Sequence, residues 1–178
     1  GDTTPPDPGP PAITTAALPV TIQAAGNLML GSYTRQSSAN SLPKSTNIFS
    51  NSGSVSLGTV NANRDTVFVS GPAGVTISAT SLTTQGDVSV SSSGPIVAGK
   101  IVSGGTVSIN SGAGDIAIGE IDAGGSVFVT SASGSITVSD IDTSTGTGGV
   151  LLSISCVTND SCGLSPASVG AAPGKDDT

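Results

Sequence analysis

Between residues 54 and 155 apolar and small polar residues alternate in short runs, as in Val88-Ser89-Val90, Val107-Ser108-Ile109 and Ile136-Thr137-Val138. A period of two sends successive side chains to opposite faces of an extended strand, so these runs predict strands with one face turned inward. The runs themselves recur. One apolar column is Val55, Val75, Ile96, Ile116 and Ile136, at steps of 20, 21, 20 and 20 residues. A second is Val67, Val88, Val107 and Val127, at steps of 21, 19 and 20, with Val69, Val90, Ile109 and Val129 two residues further on. A third is Leu82, Ile101, Ile121 and Ile141, at steps of 19, 20 and 20, preceded by Val60. Three columns on one period predict an all-β parallel β-helix, a β-solenoid with three short strands in each coil of about 20 residues. Stacking then sets each residue over its counterpart in the next coil at about 4.8 Å, so that Val and Ile form inward ladders.

The flanks read differently. Residues 1–12 cluster prolines, which fix φ and lack the N–H that a ladder needs, and predict a tail or linker. The solenoid is expected over 13–155, with Val20-Thr21-Ile22 and Leu28-Met29-Leu30 as two short early strands. Residues 31–47, which hold the only Tyr and two of the five basic residues, predict a loop inserted between coils. Cys156 and Cys162 enclose Asn159-Asp160-Ser161, which suits a turn. The pair predicts a disulfide in a loop that caps the last coil, with the remainder of 156–178 as a tail, and a disulfide implies an oxidising compartment. The same three residues spell a glycosylation sequon. Glycines such as Gly94, Gly114 and Gly134, or Gly104-Gly105 and Gly124-Gly125, precede strands and are expected to supply positive φ at tight corners.

Composition narrows the chemistry. The 178 residues include 25 Gly, no Trp and no His, with 10% charged residues and a net charge of −7. Without His there is no Ser-His-Asp or Cys-His nucleophile pair and no His-based metal site. Five scattered basic residues make no positive stripe for nucleic acid. No apolar run approaches the roughly 20 residues of a membrane-spanning helix, so no membrane insertion is expected. The start at Gly1, without Met or a signal-like segment, reads as a processed chain or an excised domain.

The run from Gly105 to Gly125, Gly-Thr-Val-Ser-Ile-Asn-Ser-Gly-Ala-Gly-Asp-Ile-Ala-Ile-Gly-Glu-Ile-Asp-Ala-Gly-Gly, resembles the repeats of filamentous-haemagglutinin-type exoproteins secreted by the two-partner route. The resemblance covers residues 54–155. It implies a right-handed parallel β-helix on a bacterial surface and a role in adhesion or matrix assembly, and it carries over no catalytic residues.

Candidate chemistry is sparse. Gly94 to Lys100 fits the phosphate-binding pattern GxxxxGK, but Ile101 replaces the hydroxyl that holds magnesium, and Ile96 and Ile101 belong to core columns. Ser41 and Lys44 have the S-x-x-K spacing of some acyl-transfer serines, yet Pro43 opposes the helical turn this needs. The repeat aligns Lys100, Glu120 and Asp140 in one column and sets Asp122 over Asp142. Either these acids form a solvated edge, or Glu120, Asp122, Asp140 and Asp142 offer some of the six to eight oxygens that calcium takes. Phe68 and Phe128 fall where other coils carry Ser89 and Ser108, so alternation turns both outward, under a loop or tail or against a partner subunit. The open ends of a β-helix invite strand addition, and the segment from Ile13 through Val20 to Ile22 is a candidate donated strand. These features lead to the expectation of a non-enzymatic, extracellular or cell-surface structural or adhesive protein. It would self-associate head-to-tail into a filament, need no cofactor unless calcium sits on the acidic edge, and avoid nucleic acid and membrane interiors. The alternative is a carbohydrate-binding or polysaccharide-active β-helix module with a cell-surface or glycan ligand.

Overall fold

A computed structural model describes residues 18–35, 44–77, 81–143, 149–154, 164–165 and 168–170. Its strands are β1 (Val20–Ala24), β2 (Leu28–Thr34), β3 (Ser45–Ser50), β4 (Val55–Asn61), β5 (Thr66–Ser70), β6 (Val75–Ile77), β7 (Leu82–Thr84) and β8 (Val88–Ser92). They continue as β9 (Ile96–Ser103), β10 (Val107–Ser111), β11 (Ile116–Ala123), β12 (Val127–Ser131), β13 (Ile136–Asp142), β14 (Val150–Ile154), β15 (Leu164–Ser165) and β16 (Ser168–Gly170). No helix occurs among the described residues. The first sheet stacks β1, β3, β5, β8, β10, β12 and β14 in that order. The second runs from β2 through β4, the β6 and β7 pair, β9 and β11 to β13, on which β15 and β16 lie side by side. Neighbours pair in parallel and in register throughout, with Val107 between Val88 and Val127, and Ile116 between Ile96 and Ile136. The chain is therefore a β-solenoid.

The three apolar columns become one continuous core. Val55, Val75, Ile96, Ile116 and Ile136 follow one another at neighbouring positions, as do Val60, Leu82, Ile101, Ile121 and Ile141, and all are buried. β-Branched side chains suit this lumen because they are stiff at χ1 and pack tightly on a pleated surface. Three apolar segments per coil are visible, but those of the first and third columns fuse into single bent strands in β4, β9, β11 and β13. In β11 two successive residues, Gly119 and Glu120, turn away from the core between inward Ile118 and Ile121. The bend needs glycine because a Cβ on Gly119 would stand 2.5 Å from the carbonyl oxygen of Gly99 in the coil below.

Close approach also explains the corner glycines, and here the expectation of positive φ is corrected. Among the described glycines only Gly74 has φ in the left-handed region. Gly124 and Gly134 instead leave no room for a side chain over the backbone of Gly104 and Gly114. Buried hydroxyls complete the corners. Ser111 donates to the Gly94 carbonyl at 2.9 Å and accepts the Gly114 N–H at 3.0 Å, and Ser92 repeats the pattern with the Gly71 carbonyl and the Gly94 N–H. Each such hydroxyl satisfies backbone groups that the tight turn would otherwise strand.

Two boundaries move. The insertion expected at 31–47 is shorter, because β2 runs through Thr34 and β3 starts at Ser45. Leu28 still sits in register under Val55, so the additional length of this coil falls between Arg35 and Lys44. At the other end the solenoid does not stop at 155, since β15 and β16 extend the second sheet beyond β13 where a cap was expected. The tail at 1–12, Ile13, and Cys156 and Cys162 with their expected disulfide lie outside the described residues.

Candidate functional site

Arg35 directly follows β2 and Asp65 directly precedes β5, and both side chains are only 3% exposed. Arg35 Nη1 lies 2.9 Å from Asp65 Oδ2, and Nη2 donates to the carbonyl of Leu18 at 2.8 Å. Asp65 also accepts the Thr46 hydroxyl at 2.9 Å and the backbone N–H of Lys44 at 3.3 Å. A buried charge is tolerated when it is paired and hydrogen-bonded in this way. The cluster fastens the segment before β1 to three successive rungs, although Arg35 Nε has no hydrogen-bond partner among the described residues. Nothing in the periodic pattern pointed to it, because Arg35 and Asp65 stand 30 residues apart and belong to no repeat column.

Beside this pair a groove of about 790 Å³ runs along the solenoid axis. Thr34, Asn61, Thr83, Val102 and Asp122 form its register column, flanked by Asn63, Gln85 and Ser103. Asn63 has φ +54, a conformation that Asn accepts more readily than most residues, and its N–H donates to Asn61 Oδ1 at 3.1 Å. The lining offers amides and hydroxyls, which both donate and accept, with the Arg35 guanidinium near one end and the Asp122 carboxylate near the other.

The predicted acidic columns form as expected in register. Lys100, Glu120 and Asp140 occupy one outward line, and Asp122 faces Asp142 in the next. Lys100 Nζ donates to Glu120 Oε1 at 2.5 Å. That hydrogen bond chiefly raises the Lys100 pKa; desolvation opposes it, and the negative charges of Glu120, Asp122 and Asp140 add to the rise. Among the described residues no three or more Asp, Glu, Cys or His side chains are grouped to hold a metal ion.

The phenylalanines do face outward, Phe68 44% and Phe128 40% exposed. Val20 and Ile22 instead turn into the solenoid at the first rung and stay half-buried. Gly94 to Ile101 forms a corner and then β9, with Ile96 and Ile101 fully buried, so it has no phosphate-cradling loop and helix. Ser41 lies outside the described residues, and the Lys44 backbone is engaged by Asp65.

Fold and surface together define the class, a parallel β-solenoid with an uncharged wall, a charged wall and a polar corner groove. No family model matches the sequence, and neither a curated protein nor a solved structure matches it.

Proposed function

We propose that this chain is a secreted, non-enzymatic structural or adhesive element whose solenoids join head-to-tail into a filament. The carrying observation is the state of the end rungs. Ile22, Leu28, Leu30 and Tyr33 are only partly buried, whereas their register partners Ile48, Val55, Leu57 and Val60 are sealed. At the far end Val150 is likewise only partly covered. A second copy added in parallel would cover both ends and continue the ladder, a heterologous contact that does not close and therefore grows. The repeat's resemblance to filamentous-haemagglutinin-type exoproteins supports an adhesive or matrix role, and the lack of any His supports a non-enzymatic one. Electron microscopy and sedimentation of the purified chain test this reading. Uniform filaments are expected, and Ile22→Lys with Leu30→Lys should abolish them while the β-rich circular dichroism persists. Wild-type material that never assembles end to end at any concentration would overturn it.

The corner groove favours a second reading, retention of a neutral linear glycan along the Asn61, Thr83 and Gln85 line. Soluble polysaccharide should then retard the protein in affinity electrophoresis, and Asn61→Ala with Gln85→Ala should release it.

A further inference from the structure

The outer face of the first sheet differs from the rest of the molecule. None of its seven strands contains a charged residue, although the chain carries a net −7 and the second sheet bears Lys100, Glu120, Asp122, Asp140 and Asp142. After Thr21 of β1, its central outward column reads Asn47, Phe68, Ser89, Ser108, Phe128 and Leu151 in continuous register. The middle four residues form a palindrome. Beyond one end lies a hollow of about 350 Å³ between Phe49 and Phe68, floored by Asn47 and Ser70. Beyond the other stands Leu151, 52% exposed.

We infer that this wall docks a second copy of the same chain, face to face, about a two-fold axis parallel to the strands and midway between Ser89 and Ser108. That operation reverses the solenoid axis and retains each position along the strand. Phe68 then opposes Phe128 of the second copy, Ser89 opposes Ser108, and Leu151 enters the hollow beside Asn47, with every contact made twice. Ser89 and Ser108 leave room for the opposed rings to lean over them as the two sheets close to the usual spacing of about 10 Å. Charge favours this occupant, because two acidic chains meet across this wall without like-charge contacts. The face extends roughly 29 Å along the axis and 13 Å along the strands, so the pair covers about 800 Å² in all. This is small for a permanent interface and fits a reversible dimer.

The dimer is closed and uses the wall, whereas filament growth uses the ends, so the two are separable. Analytical ultracentrifugation of the full chain carrying Ile22→Lys and Leu30→Lys, over a wide concentration range, isolates the wall contact. A reversible rise from 17.0 kDa to twice that mass, and no further, is expected. Phe68→Ser with Phe128→Ser installs the residues that intervening coils already carry, so it should leave the fold intact and weaken dimerisation at least tenfold. Phe68→Lys with Phe128→Glu should restore the dimer by opposing unlike charges, and Phe68→Lys with Phe128→Lys should abolish it. A monomer at every concentration, a dimer indifferent to the serine pair, or equal behaviour of the two charged pairs would overturn the inference.

Discussion

At the scale of single residues, Arg35 and Asp65 stake the most on each other. Each is nearly sealed from water, so removing one leaves an uncompensated charge in a medium that solvates it poorly. Asp65→Asn or Arg35→Met should therefore cost about 3–5 kcal/mol in urea unfolding. Arg35→Met combined with Asp65→Leu, which removes both charges, should recover much of that loss. The pair was illegible in the sequence because it stands outside the 20-residue period, and a lone Arg and Asp give no local signal. The inward serines were half legible. Ser111 falls two positions after Ile109, as a core residue would, yet only the structure shows its hydroxyl joining the Gly94 carbonyl to the Gly114 N–H.

At the scale of elements, register repeats so closely that one coil is interchangeable with its neighbour. Val88 and Val127 both align with Val107, and Ile96 and Ile136 both align with Ile116. Excising residues 107–126 would bring β8 beside β12 and β9 beside β13 with every inward residue still inward. The shortened chain should keep its β-rich circular dichroism and unfold at a somewhat lower denaturant midpoint, as expected for a nearest-neighbour array. Excising 107–116 removes half a coil, sets corners against strands and should abolish the cooperative transition. The columns behind this prediction were readable because each coil contributes β-branched residues at fixed steps. The seventh rung was not, since Leu164 and Val169 follow Ile136 and Ile141 at 28 residues, a longer step than the period.

At the scale of the molecule, charge is sorted by surface. Acids gather on the second sheet and the corners, and the first sheet stays neutral, so net repulsion opposes every contact between copies while the contact itself carries no charge. Salt shortens the reach of that repulsion to about 8 Å at physiological ionic strength. Raising salt from about 0.01 M to 0.15 M should thus strengthen self-association, and sedimentation at matched protein concentration would register it. An association held by ion pairs across the interface would weaken instead.

The serine-tied corners close each coil at a height of only about 4.8 Å, although its 20 residues reach roughly 70 Å when drawn straight. A load applied along the axis that peels one rung from the end therefore releases more than ten times the length it removes. The next rung presents the same ladder bonds and the same corner hydroxyls, so it resists as the last one did. A tether built from such coils would lengthen in even steps under tension, absorbing work at each, and would leave the remaining stack ready to wind the lost rung back.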